Sequence, residues 1–234
     1  YGLARVTELQ GGAGAGAGYE AALAGNADFH WASIRMGLAA IPSNEPLERA
    51  DAAIRRLLTA YKEGLSPRQK ATLHLARARR ALAAGDVPGA LERLNEARTV
   101  DSSNPEVLLE LGRLYLDLGQ LARARQHLEA ASLAAPFNLE IADAYVASLL
   151  TANQLARARD LVATLPPAYQ EEPRARLLKA MIQRKGNQLA AAEPQLAAAL
   201  KERPDSFELK LEEVALRLAQ NHPDTLTLID GLRT

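Results

Sequence analysis

The stretch that decides the fold is residues 105–136, PEVLLELGRLYLDLGQLARARQHLEAASLAAP. Leu108, Leu111, Leu114, Tyr115 and Leu118 fall at helical spacing, and Gly119 ends the run as a left-handed C-cap residue would. After Gln120 a second helix places Leu121, Ala124, Leu128 and Ala131 on one face, and Pro136 stops it. The same spacing occurs upstream. Gly85, Ala90, Leu94 and Ala97 precede Gly119, Ala124, Leu128 and Ala131 by 34 positions each. A fixed period of this kind signals a stack of helix pairs, each unable to bury its apolar face alone.

Composition supports a helical array. The 234 residues are rich in Ala, Leu, Arg and Glu, the strong helix formers, and poor in aromatic and β-branched types. The 28 basic and 28 acidic side chains cancel, which argues against a general binder of nucleic acid or anionic membrane. There is no cysteine, so disulfides, thiolate metal sites and cysteine nucleophiles are excluded. No apolar run reaches the 18 or so residues of a membrane span, so direct membrane insertion is not expected. The N-terminus Tyr1-Gly2-Leu3-Ala4-Arg5 has neither a start methionine nor a signal-peptide core and reads as that of a fragment or processed chain. The bias to Ala, Arg and Leu suggests a GC-rich bacterial source, and periplasm is favoured over cytoplasm.

Eight residues carry a family resemblance. Leu108, Leu111, Gly112, Tyr115, Ala124, Leu128, Ala131 and Pro136 occupy the offsets of the pattern W-x2-L-G-x2-Y…A-x3-F…P. The stretch resembles a tetratricopeptide repeat, which implies an all-α, right-handed α-solenoid of helix-turn-helix units. On that reading the repeats span 68–204, as units of about 71–104, 105–138, 139–171 and 172–206. Residues 1–64 are degenerate repeat-like helices, and 207–234 an irregular or capping repeat. Ala78 takes the small position of the first unit, and His74 stands where the family carries a large aromatic. Asn153 substitutes for glycine at the turn of the third unit. In the fourth, Leu178, Ile182 and Gly186 are followed by Ala192, Leu196, Ala199 and Pro204 one residue late, implying an insertion near Asn187-Gln188. Pro194 is placed where a missing N–H costs little. Upstream, 31–40 and 46–61 read as a pair of helices, and 1–10 and 19–24 as two more.

Motifs for chemistry are absent. The Gly-Ala run 11–18 has no strand before it and no Gly-Lys-Ser/Thr after it, so a flexible turn explains it better than a phosphate loop. His30, His74, His127 and His222 form no pair at metal-ligand spacing. No serine lies in a nucleophile elbow, and the acidic pairs Glu171-Glu172 and Glu212-Glu213 are adjacent, so they point apart on a helix. No enzyme activity, catalytic residue, metal, cofactor or small-molecule substrate is therefore expected. The Arg-Ala-Arg segments at 123–125 and 157–159 read as a solvated outer face. Residues 68–99 carry seven bases against three acids, which keeps a local basic surface, and a weaker nucleic-acid reading, open.

The resemblance places the binding surface on the first helices. Its groove-facing offsets fall on Leu75, Arg79, Glu106, Leu109, Arg113 and Asp117, then Glu140, Asp143 and Ala147, then Arg176, Ala180 and Gln183. That mixture suits a peptide or protein segment with apolar anchors and both charges. The lysine–asparagine clamp of chaperone-tail adaptors is missing, since its places hold Leu75, Arg79 and Glu110. The expected function is a non-catalytic interaction scaffold in bacterial envelope, secretion or exopolysaccharide assembly, with a homo-oligomer possible. The alternative is the regulatory or substrate-recruiting portion of a larger enzyme such as a protease or glycosyltransferase.

Overall fold

A computed structural model describes residues 47–60 and 64–223, with Thr225 and Ile229. The glycine-alanine run, His30, the helices expected over 1–10, 19–24 and 31–40, and most of 224–234 lie outside these. The described residues form eleven helices and no strand. They are α1 (Leu47–Ala60), α2 (Pro67–Ala83), α3 (Val87–Val100), α4 (Pro105–Asp117), α5 (Leu121–Ala134) and α6 (Leu139–Thr151). Then follow α7 (Leu155–Ala163), α8 (Pro167–Gln170), α9 (Pro173–Lys185), α10 (Leu189–Glu202) and α11 (Phe207–Ala219).

The period is stricter than the sequence suggests. Second helices begin at Val87, Leu121, Leu155 and Leu189, and first helices at Pro105, Leu139, Pro173 and Phe207, all at steps of 34. Left-handed backbone recurs at the same step, at Gly85, Gly119, Asn153, Asn187 and Asn221, with φ between 54° and 77°. Each of these five residues closes the same pair of hydrogen bonds. Asn153 N–H donates to Leu150 O at 3.1 Å and Gln154 N–H to Leu149 O at 2.8 Å, the double closure that satisfies orphan carbonyls at a helix end. The bonds of Asn187 N–H to Arg184 O and Gln188 N–H to Gln183 O are 3.0 and 2.8 Å.

This corrects the expected insertion near Asn187-Gln188. No residue is inserted: the turn residue is Asn187, whereas Gly186 has a φ of −83° and caps α9. Pro194 also differs from expectation. It is the sixth residue of α10, past the turn whose N–H groups are free, so the exposed Ala190 carbonyl loses its helical partner.

The chain divides into two compact units between Leu111 and Gly112. In the first, Ser66 starts α2 with a capping box: Gln69 N–H donates to Ser66 Oγ, and Ser66 N–H to Gln69 Oε1 at 2.7 Å. Asp86 caps α3 by accepting from Gly89 N–H at 2.9 Å. Ala71, Ala78 and Ala81 of α2 and Ala90, Leu94 and Ala97 of α3 are fully enclosed. Ile54, Leu65 and Leu73 form a further cluster toward α1.

In the second unit Asn138 caps α6 by accepting from Glu140 and Ile141 N–H groups. Ala180, Ala192, Leu196, Ala199, Leu209 and Leu216 join α9, α10 and α11 in one core. One pair departs from the pattern. Helix α7 has 9 residues where α3, α5 and α10 each have 14. Pro166-Pro167 ends the helical run early, because a proline disfavours α backbone in the residue before it, and α8 takes up the remainder.

The small position of α4 carries a close contact. A Cβ built on Gly112 would lie 2.5 Å from Leu128 Cγ and 2.6 Å from its Cδ2. Gly112→Ala should therefore destabilise by about 1–3 kcal/mol through overpacking, even though alanine is the better helix former. Chemical denaturation checks this, and an unchanged or raised midpoint would refute the close-contact account.

Candidate functional site

First helices are tied to their successors by ion pairs. Arg79 Nε meets Glu110 Oε1 at 2.8 Å, and Arg113 Nη1, one period later, meets Glu140 Oε1 at 2.8 Å. Arg174 Nη2 donates to Asp143 Oδ2 at 2.6 Å, and Arg184 Nε to Glu212 Oε1 at 2.6 Å. Second helices add Arg157–Glu129 at 2.7 Å. The Arg-Ala-Arg segments expected to be a solvated face are thus partly engaged. Arg157 also donates to Tyr145 Oη, and Arg123 lies 5.7 Å from the centroid of Tyr115, whose ring stacks on His127.

The residues expected in the groove fall into three groups. Arg79, Glu106, Arg113, Asp117, Glu140 and Asp143 lie at the surface, four of them in the pairs above. Leu75 and Leu109 are only 2% and 4% exposed, so both are packed in the interior, and Ala180 is fully enclosed. Arg176 and Gln183 move to a different face. Since α9 starts at Pro173, the residues equivalent to Glu106, Leu109, Arg113 and Asp117 are Arg174, Leu177, Met181 and Lys185. At 3.6 residues per turn, Arg176 and Gln183 lie on nearly the opposite side of α9. There Arg176 donates to the carbonyl and carboxylate of Glu171, and Gln183 borders a cavity.

A second charged constellation sits within the first unit. Asp51 and Arg77 are 5% and 7% exposed, and Arg77 Nε donates to Asp51 Oδ1 at 2.7 Å. Arg55 and Arg93 also reach Asp51, at 2.8 and 3.2 Å. Arg77 Nη1 continues to Glu96 Oε2 at 2.8 Å, which His74 Nδ1 meets at 3.0 Å. Burial alone would raise the Asp51 carboxyl, but the hydrogen bonds and charges of Arg77 and Arg93 outweigh it and hold it below its ordinary 3.8. This cluster joins α1, α2 and α3, with three arginines set against two carboxylates. It also engages Arg77 and Arg93, two of the seven bases of 68–99 that suggested a basic surface.

His74 gives the cluster a pH response. Burial lowers its imidazole below the ordinary 6.5, against the opposing hydrogen bond and charge of Glu96. The unfolded chain therefore takes the proton first as pH falls, and stability declines below about 6.5. The melting midpoint should drop less between pH 7 and 5.5 in His74→Gln than in the wild type. Equal drops would remove His74 from the account.

Comparison with known proteins agrees with this geometry. Residues 81–151 match the tetratricopeptide repeat family. Over that stretch the chain resembles tetratricopeptide repeats. Its all-α solenoid class is shared by a tetratricopeptide repeat protein from Parabacteroides merdae, 15% identical, with 92% of this chain and 78% of that one covered at a TM-score of 0.67. A second similar structure is pilF of Pseudomonas aeruginosa, 20% identical over 84% of this chain and 86% of that one, with a TM-score of 0.63. YrrB, described as a tetratricopeptide protein with an unusual peptide-binding site, is 17% identical over 78% and 91%, with a TM-score of 0.56. None of the curated proteins matches the chain in sequence. No described helix of the tetratricopeptide array is long and apolar enough to cross a membrane.

Proposed function

We propose that this chain is an interaction scaffold that holds a peptide or protein segment along the exposed face of its first helices. The observation that carries the reading is that Arg79 and Arg113, one period apart, each reach an acid of the next first helix at the surface, Glu110 and Glu140. Exposed pairs of this kind contribute only about 0–1 kcal/mol each. A partner's carboxylates and amines can replace them at little cost, while the helices that carry them stay in place. Because the helices are already formed, little ordering is required on this side of the complex. Glu106 and Asp117, exposed beside Arg113 on the same helix, add negative charge for a segment of mixed sign. Bound apolar groups would rest at the edges of this face, because Leu75 and Leu109 are already packed. An assembly process of a bacterial envelope, secretion or exopolysaccharide system is the setting we attach to it, an association drawn from composition alone.

Arg79→Glu combined with Arg113→Glu should abolish partner capture from a lysate of the source organism, read by mass spectrometry. Helicity and the melting midpoint should stay near wild type, since each lost pair is worth about 1 kcal/mol or less. Capture of the same partners by the double variant would refute the groove reading.

A further inference from the structure

The early end of α7 leaves a cavity of about 190 Å³ inside the second unit. Val162 of α7 and Ile182 of α9 give it apolar walls, and Gln170 of α8, Lys179 and Gln183 of α9 and Arg159 of α7 give it polar ones. The two preceding repeats fill these places differently. One period earlier Lys179 and Gln183 correspond to the buried Tyr145 and Leu149, and two periods earlier to the buried Leu111 and Tyr115. Large side chains that fill the interior in the two preceding repeats are replaced here by an amine and an amide, with space beside them, whereas Arg77 and Ala81 hold the same places in α2 and Glu213 and Arg217 in α11. A repeat that breaks its own interior pattern in this way marks a place where something other than packing is being served.

The polar groups differ in how far they are committed. Gln170 Nε2 donates to the carbonyls of Leu165 and Ala163 at 2.9 and 3.3 Å, satisfying the end of α7. Lys179 Nζ donates to Gln170 O at 2.9 Å, which leaves it two further protons. Arg159 is exposed and has no ion pair or side-chain hydrogen bond among the described residues. The Gln183 Oε1 atom is enclosed and has no donor. A buried amide oxygen left in that state is unfavourable. The site therefore offers spare cationic donors, one acceptor that needs an N–H, and an aliphatic recess. An enclosed cavity of about 150 Å³ already admits a benzene-sized guest. A branched aliphatic side chain fits the larger space here.

We propose that this cavity binds a peptide element that combines an aliphatic side chain with a neighbouring carboxylate. The side chain lies between Val162 and Ile182, the carboxylate meets Arg159 and the free protons of Lys179, and a turn of the Gln183 side chain brings its oxygen to a peptide N–H. The carboxylate can belong to an acidic side chain or to a chain terminus. The site lies on the opposite side of α9 from the groove face and does not depend on the groove reading.

The test is an NMR titration of the 234-residue chain with three peptides: acetyl-Ala-Glu-Leu-Ala-amide, acetyl-Ala-Gln-Leu as the free acid, and acetyl-Ala-Gln-Leu-Ala-amide. One or both acidic peptides should shift the Gln183 side-chain amide and the Arg159 Nε resonance saturably, and the neutral peptide should not. Which acidic peptide binds names the source of the carboxylate. Arg159→Glu should weaken binding about tenfold or more, the scale of one charge-assisted hydrogen bond. Gln183→Leu, which restores the residue type of Leu149, should fill the recess and abolish binding. Arg79→Glu with Arg113→Glu should bind as the wild type does. The proposal is overturned by silence from both acidic peptides, by equal binding of the neutral one, by wild-type affinity in Arg159→Glu and Gln183→Leu, or by loss of binding in the double groove variant.

Discussion

Everything in this fold depends on a chain reversal at one left-handed residue per period. Gly85, Gly119, Asn153 and Asn187 each end a first helix and direct the chain back along it, and Asn221 ends α11 with the same backbone. The two hydrogen bonds at each reversal fix where the second helix begins, and so which of its residues face inward. Ala90, Ala124, Ala158 and Ala192 then follow their turns at the same distance, and each is fully enclosed. Glycine reaches this backbone freely, and asparagine is among the few other residues that tolerate it. A shift of the turn by one residue would rotate every later side chain by about 100° around its helix, since a turn takes 3.6 residues. The interior could not survive such a shift, which is why the period does not drift.

The period, the pairing of helices and the small positions at Ala78 and Gly112 were all legible in the chain, because each is a local demand repeated at a fixed interval. The register of the fourth repeat was not. Gly186 is the stronger turn signal by residue type, and Leu178 with Ile182 suggests a helix face one residue out of step. Leu178 and Ile182 are indeed buried, but the positions equivalent to Tyr145 and Leu149 hold Lys179 and Gln183, and a hydrophobic pattern cannot reveal a position that is not hydrophobic. Arg176 and Gln183 were assigned to the groove by that same displaced register. The misplacement and the cavity have one cause, the replacement of large interior side chains by polar ones next to a shortened α7.

The ion pairs were illegible for a different reason. Local charge patterning finds partners three or four residues apart, whereas Arg79 and Glu110 are 31 apart and Arg113 and Glu140 are 27 apart. Only stacking brings them together. Burial of Leu75 and Leu109 likewise cannot be read from one helix, because both lie on the face that the family resemblance assigns to ligand. The resemblance therefore overstated the apolar content of that face.

Neutral total charge takes on a definite meaning once these partners are known. Acids and bases are matched in number because many are matched in space, some in the surface ladder and some in the enclosed pair of Asp51 and Arg77. The two kinds differ in what they can do. Breaking an enclosed pair strands a charge in the interior, so Asp51 and Arg77 are bound to their structural task. An exposed pair loses little when a partner replaces one member, so Arg79 and Arg113 stay available for exchange. Arg159 belongs to neither kind, and it borders the one described recess where a repeat gives up its own packing. Recognition in this array is thus most readily built where internal pairing is weak or missing, and stability where it is enclosed.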